Sequence, residues 1–311
     1  MGRRNKKGRP VSGWLVLDKA YDFGSTDAVS KVKWLFNAQK AGHAGTLDPR
    51  ATGILPIALG EATKTTPYII GAKKKYRFTA KWGAATSTDD TEGDAIATSD
   101  LRPSRREIEA ILPQFIGEID QAPPRFSAVK IRGARAYDLA RAGEEVALES
   151  RKILIGSLEL VNLKSEDEAV FEAVTGKGAY VRALVRDIAV ALGTVAHVCE
   201  LRRTAVGPFS EDNAVTIGDI EAVDLVEDRD AFLMPITEAL ASIPQAVVDG
   251  PQASKIRCGQ AAILSPQCAK GVRGENAGEI PAVLALLYDK PVAICSLDGL
   301  KLKPVRVFAA S

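Results

Sequence analysis

The firmest element is announced by an alternation. In KYRFTAKWG, residues 75–83, Tyr76, Phe78, Ala80 and Trp82 fall on one side, and Lys75, Arg77, Thr79 and Lys81 on the other. A period of two predicts a half-buried strand with a basic solvent face. GWLVLDK (13–19) and ILPIALG (54–60) are short apolar runs and read as strands, the second one buried. KILIGSLELVNL (152–163) and AVFEAVTG (169–176) read as strands as well. Helical spacing appears first after residue 24. There Ser25 or Thr26 caps a helix through Phe36, with Val29, Val32 and Phe36 on one face. Ser104-x-x-Glu107 is a capping box and opens a helix over 105–116 despite Pro113. AYDLARAG (136–143) predicts a short helix closed by Gly143, and YVRALVRDIAVALG (180–193) an amphipathic helix ending at Gly193.

The pattern breaks in ASIPQAVVDGPQ, near residues 241–252. Pro244 and the Gly250-Pro251 pair mark a linker or turn there. AVLALLYDK, VAICSLDG and KPVRVF follow as short strands. The expected organisation is α+β in two domains, 1–245 and a small β-rich 246–311. A chain of 311 residues is long enough for both.

Composition changes this picture little, but it narrows the chemistry. A hydrophobic fraction of 46% is ordinary for a globular protein, and a net charge of +2 gives no overwhelming basic field. A polyanion would have to be held by local patches. MGRRNKKGRP is one such patch; it reads either as a solubilising tail or as a basic arm for phosphates. No apolar run has the length of a membrane span or follows the basic residues as in a secretory signal. The four cysteines form no C-x-x-C pair and the chain has two histidines, which argues against a structural zinc site and a disulfide framework. A reducing cytoplasm is the expected home. The chain has no Walker-type phosphate loop, no G-x-G-x-x-G and no G-x-S-x-G. TSTDDTEGD (86–94) misses the calcium-loop register and reads as a solvated turn.

What remains is GHAGTLDPRATGILPIALGEATK, residues 42–64, with 42–53 a glycine-rich loop. Asp48 stands between Leu47 and Pro49 with no acid within ten residues on either side. A carboxylate with an ordinary pKa near 3.9 is ionised at neutral pH. No like charge is close in sequence to raise it. Alone it serves as nucleophile, base or helical cap, and Asp before Pro is also common turn chemistry.

As a string, the same segment closely resembles the active-site motif of the TruB family of tRNA pseudouridine-55 synthases. LDK at 17–19 with GSTDAVSKVK, KKYRFTAKWGAATSTDDTEG, QAPPRFSAVKIRGARAYDLARAG, VTGKGAYVRALVRDIAVALG and HVCELRRTAVGPF extend the resemblance from about residue 10 to 217. The C-terminal piece is similar in outline to a PUA domain, a small β-barrel-like RNA-binding module. Ala20 stands where the family usually has proline; Thr175 and Ala179 also depart from its pattern.

The resemblance implies a mixed, mainly antiparallel sheet with flanking helices, acting on the T-stem-loop of tRNA. It implies an isomerase that needs no cofactor and no metal and has no obligate protein partner; four scattered cysteines and the lack of a heptad give no reason to invoke a dimer, so a monomer is expected. Asp48 would be the nucleophile; whether it adds to the uracil ring or acts at the sugar stays open. Tyr76 would stack on the flipped base and is a candidate proton acceptor. Arg182 would pair with the aspartate. Tyr180 and Leu201 would contact the base, and His43 would stabilise flipped nucleotides. Lys19 and Lys64 would meet phosphates, within a basic face that includes Lys130 and Arg132. The alternative class is an RNA-binding chaperone that helps tRNA fold, with catalysis minor or absent. A subunit of a guide-RNA complex ranks last.

Overall fold

The computed structural model describes residues 8–127, 130–131, 134–135, 148–274 and 278–309. Its first part runs β1 (Gly13–Lys19), α1 (Ser25–Leu35), β2 (Ala41–His43), β3 (Thr52–Leu59), α2 (Thr66–Ile70) and β4 (Lys74–Trp82). Next come the hairpin β5–β6 (Ala84–Thr86, Ala95–Thr98), α3 (Arg105–Ile111), β7 (Gly117–Gln121) and a two-residue hairpin β8–β9 (Lys130–Ile131, Ala134–Arg135). β10 (Arg151–Leu163), β11 (Glu168–Thr175), α4 (Val181–Ala191), β12 (Ala196–Val206) and β13 (Phe209–Ser210) follow. α5 (Ile217–Glu221), β14 (Leu233–Met234) and α6 (Ile236–Ala239) close this part.

One sheet carries it. Among the described residues the strand order is β14-β1-β3-β12-β4-β11-β10-β7, with β2 on β3 and β13 on β12. Every pair is antiparallel except β12 with β3. β1 and β3 pair from Gly13–Leu59 to Lys19–Gly53 and are buried along nearly their whole length, as unbroken apolar runs in a covered sheet must be. β4 keeps its alternation but for one residue: Phe78, Ala80 and Trp82 face the core and Lys75, Arg77 and Lys81 are exposed, while Thr79, expected on the solvent side, is buried with its hydroxyl donating to Glu200 at 2.7 Å. α4 packs on that core face through Val181, Leu184, Val185 and Ile188. α1 and the β2–β3 loop share a second core with Val32, Leu35, Phe36, Leu47 and Leu55.

β3 and β12 run parallel only at Thr52–Arg202 and Gly53–Arg203. Gly53 has φ +98°, and a Cβ there would lie 2.3 Å from the Arg203 carbonyl oxygen. Only glycine lets the two strands approach so closely.

The C-terminal part is a second sheet, order β15-β17-β18-β19-β16. Its strands are β15 (Gln245–Val247), β16 (Ala262–Ile263), β17 (Ile280–Leu287), β18 (Lys290–Asp298) and β19 (Lys301–Val307). α7 (Gly250–Arg257) and α8 (Pro266–Arg273) lie between them. Leu284, Leu286, Ile294 and Phe308 join one apolar cluster with Trp14, Val206 and Phe209, so the two sheets share a core.

Local expectations differ in four places. α1 is capped by Gly24, and Ser25 is its first helical residue. The helix from Arg105 stays α-helical to Ile111 and tightens into a 3₁₀ turn around Pro113, whose ring cannot continue an α-helix. Residues 42–43 and 52–53 of the expected loop are strand. Gly250-Pro251 does not mark a linker: it opens α7 behind the Asp249 capping box, with proline in the first turn where a missing N–H costs nothing. The helix expected over 136–143 lies outside the described residues.

Phe171 of β11 stacks on Phe78 at 5.5 Å between ring centroids and meets Trp82 edge-on at 6.4 Å. It is fully buried. Phe171→Ala is expected to lower the unfolding free energy by about 3–5 kcal/mol, read from urea denaturation.

Candidate active site

Asp48 sits on the loop between β2 and β3, and groups from elsewhere in the chain hold that loop. The Ser25 hydroxyl donates to the Leu47 carbonyl at 2.7 Å and accepts from its N–H at 2.9 Å. Arg203, 1% exposed, donates to Ile54 O, Thr46 O and Gly45 O at 2.7, 3.2 and 3.1 Å. Lys19, also 1% exposed, donates to Ala20 O, Phe23 O and Pro49 O at 2.8, 2.8 and 3.2 Å. Buried cations must have acceptors, and here backbone carbonyls supply them. The loop is therefore stiffened from outside more than by its own glycines and Pro49.

Arg182, in the first turn of α4, reaches Asp48 from the opposite side. Its Nη2 stands 2.8 Å from Asp48 Oδ2 and donates to Phe126 O at 3.1 Å. Its Nη1 donates to Thr88 O at 2.9 Å and stands 3.5 Å from Asp90 Oδ2. The arginine side chain is 6% exposed and Asp48 37%, so the carboxylate is the member of the pair that solvent can reach. Burial alone would lower the Arg182 pKa, but the charges of Asp48 and Asp90 outweigh it and raise the value.

Asp90 belongs to the stretch expected to be a solvated turn, and that expectation is corrected. Thr86, Thr88 and Asp90 are each 7% exposed. Asp90 Oδ1 accepts from the Thr88 hydroxyl and, at 3.0 Å, from the Glu92 N–H. Asp89 pairs with Arg186 of α4 at 3.1 Å. Asp48 is thus isolated in sequence but not in space, since a second carboxylate faces it across Arg182. Residues 86–90 are all polar, so no alternation in the sequence marks this burial.

Asp48, Arg182, Asp90 and Leu201 line one cleft, together with Arg50 and Val198. Of the expected site residues, this brings Asp48, Arg182 and Leu201 together. Tyr76 is half-buried at the start of β4, packs on the core beneath α4 and lies opposite Arg203. Tyr180 is the residue before α4. Its backbone exchanges hydrogen bonds of 2.8 and 3.2 Å with the Gln121 side chain, and its ring lies 5.3 Å from the Arg151 guanidinium. His43 is on β2, with a buried Nδ1 that has no partner among the described residues. Burial, and then the charge of Arg203, lower its pKa and favour neutral imidazole.

Lys19 cannot meet a phosphate. Its ammonium is spent on three carbonyls inside the protein, and this corrects the expected role. Lys64 pairs with Glu61 at 2.5 Å and donates to Val307 O of β19 at 2.8 Å, tying the first sheet to the second. Arg9 pairs with Asp230 at 2.8 Å. Arg132 and most of the N-terminal arm lie outside the described residues, as does the Lys130 side chain. A larger groove of about 520 Å³ opens in the C-terminal part beside Asp249, Ser265, Tyr288 and Asp289. Among the described residues no lysine or arginine lines it, which makes it a poor seat for phosphate.

The fold defines the class. A chain in a solved Cbf5–Nop10–Gar1 complex superposes with a TM-score of 0.70 at 24% identity, over 99% of this chain and 91% of its own length. A chain of an H/ACA RNP bound to a substrate RNA containing 2′-deoxyuridine gives 0.70 at 21%, over 99% and 92%. These likenesses establish a shared two-part fold, with a curled PUA-like sheet at the C-terminus. Residues 33–181 match the N-terminal domain of TruB family pseudouridylate synthases, and residues 182–241 match the tRNA pseudouridylate synthase B C-terminal domain. The tRNA pseudouridine synthase B of Caulobacter vibrioides is 51% identical over 305 residues, covering 98% of both chains. That of Agrobacterium fabrum is 49% identical over 313 residues, covering 98% of this chain and 97% of its own. The chain belongs to the TruB family.

Burial lowers the Lys19 pKa to about 8, against 10.5 for a free lysine. Between those values the unfolded chain holds a proton that the folded chain has released, so Lys19 contributes stability that grows as pH rises through this window and is lost below about 8. The unfolding free energy of wild type minus that of Lys19→Met is expected to be flat below pH 8 and to rise above it. Urea titrations at stepped pH read this difference directly.

Proposed function

We propose that this chain isomerises uridine to pseudouridine in tRNA, with position 55 of the T-loop as its target and Asp48 as its nucleophile. The observation that carries the proposal is the pinned Asp48 carboxylate, 2.8 Å from a buried arginine and partly open to solvent. The names of the relatives that share nearly the whole chain support the substrate and the reaction.

The reaction breaks the bond from uracil N1 to the ribose, turns the base and joins C5 in place of N1. It is redox-neutral and spends no nucleotide, so it calls for a positioned carboxylate rather than a cofactor. Such positioning is worth several powers of ten in rate when the geometry is held to a fraction of an ångström. Arg182 fixes the direction of Asp48, and the Ser25, Lys19 and Arg203 anchors fix its backbone.

Extracting a uridine from a folded loop costs a few kcal/mol, and stacking on an aromatic ring returns about 1–3 kcal/mol. In this reading Tyr76 is the stacking ring and proton acceptor, Tyr180 and Leu201 bound the base, and neutral His43 supports the displaced nucleotides. Lys64 keeps a place as a phosphate contact through its exposed edge, while Lys19 becomes a positioning residue. The catalytic domain spans 1–245 and the PUA-like RNA-binding domain 246–311. The enzyme acts in the cytoplasm as a monomer without an obligate protein partner. Among the described residues, no helix is long and apolar enough to cross a membrane.

The test uses unmodified tRNA tritiated at uridine C5, because forming the new C–C bond releases that label to water. Asp48→Asn keeps the shape and leaves Arg182 its contact with Asp90. Wild type is expected to release tritium. Asp48→Asn is expected to release it at least about 10³-fold more slowly, as when a catalytic nucleophile is removed, while binding the tRNA within a few-fold of wild type. Tight binding without release by wild type would favour the chaperone class instead. Comparable release by both would take the nucleophile role away from Asp48.

A further inference from the structure

The rim of the Asp48 cleft carries a feature that the catalytic reading does not use. Tyr21 follows β1 and is 49% exposed. The Arg50 guanidinium lies over this ring, 5.4 Å from its centroid, and Nη1 donates to the Tyr21 hydroxyl at 3.3 Å. The same Nη1 stands 3.7 Å from Asp22 Oδ1. Arg50 also lines the cleft with Asp48 and Arg182. Tyr21 is therefore one side chain away from the reacting carboxylate.

The backbone beneath this pair is locked to the catalytic loop. The Asp22 N–H donates to Pro49 O at 2.9 Å, with Asp22 in the left-handed region at φ +59°. The Lys19 ammonium bridges Ala20 O, Phe23 O and Pro49 O. The Tyr21 segment and the Asp48 segment thus move as one body. One side of the ring is covered by Arg50 and half of the residue's surface stays open. Besides Tyr21, the guanidinium feels the charges of Asp22 and Glu92, and the Arg50 side chain keeps 38% of its surface exposed. A flat ring backed by a cation that is itself partly exposed suits a nucleobase stacked on the ring and a phosphate beside it.

We infer that Tyr21 and Arg50 form a second RNA-contacting platform at the mouth of the active site, which holds a nucleotide flanking the target uridine. Tyr21 stacks on that nucleotide's base, and Arg50 steadies the ring while its solvent-exposed part meets the adjoining phosphate. The inference rests on the proposed RNA substrate, but not on catalysis by Asp48.

Equilibrium binding of an unmodified T-stem-loop RNA tests it independently of turnover. Tyr21→Ala is expected to weaken Kd by about tenfold, within the range for loss of one stacked base. Tyr21→Phe, which keeps the ring, is expected to restore binding to within twofold of wild type. Arg50→Ala is expected to weaken binding and to reduce the slope of log Kd against log salt by about 0.7–0.9, one phosphate contact. Melting temperatures within a few degrees of wild type establish that each variant is folded. In tritium release, the KM for tRNA should rise by a larger factor than kcat falls. Binding by folded Tyr21→Ala within twofold of wild type would overturn the platform, as would an unchanged salt slope for Arg50→Ala. Absence of tritium release by wild type would count against the proposed isomerase and leave the Kd comparison to decide the platform.

Discussion

The site depends on one buried guanidinium. Arg182 leaves α4 beneath the sheet and must find acceptors, because an uncompensated charge at this depth costs several kcal/mol. It finds two carbonyls, Thr88 O and Phe126 O, and two carboxylates, Asp48 and Asp90. These partners come from separate segments of the chain. The arginine therefore works as a clasp. It pulls the β2–β3 loop, the β5–β6 hairpin and the segment after β7 against the first turn of α4. Asp48 is the partner at the edge of this clasp, open to solvent.

The rest of the fold can be understood as support for that clasp. β1, β3, β12 and β4 lie side by side, so residues from distant parts of the sequence meet at one sheet. The close parallel step at Gly53 brings Arg203 under the Asp48 loop, where its guanidinium binds three carbonyls. Lys19 does the same from the end of β1. Surface pairs such as Arg77 with Glu172, both about half exposed, contribute little by comparison. The cations that matter to the site are the buried ones, and most of them hold backbone rather than acids. The second sheet joins the first through a shared apolar core and the Lys64–Val307 bond, which gives the two parts a fixed contact.

Much of this was legible in the sequence wherever a period or a motif is local. The apolar runs of β1 and β3, the capping box at Ser104 and the amphipathic α4 appear as read, and so does the alternation in 75–83 apart from the buried Thr79. Asp48 stood out because its segment matches a family motif, and Arg182 came with it. What stayed hidden was long-range. Asp90 looked like part of a hydrophilic turn, since its partner lies 92 positions further along the sequence. Arg203 looked like one more strand residue, because nothing local shows that a cation will be folded onto carbonyls from another loop. Lys19 looked like a phosphate contact for the same reason: its side chain is polar, but its neighbours on folding are not solvent. Gly250-Pro251 misled through an ambiguity of local chemistry, as the same pair that breaks one element opens the next.

The most direct test of the clasp is Arg182→Lys. Lysine keeps the charge that Asp90 and Asp48 require, but it is a single point donor and cannot span both carboxylates and both carbonyls. The quantity to measure is the single-turnover rate of tritium release at saturating enzyme, alongside tRNA affinity and melting temperature. The account predicts a folded protein that binds tRNA within a few-fold of wild type and reacts about 10²-fold more slowly, because the carboxylate has lost its fixed direction. A folded Arg182→Lys protein that reacts within threefold of wild type would contradict it and would make Arg182 a structural cation with no part in aiming Asp48.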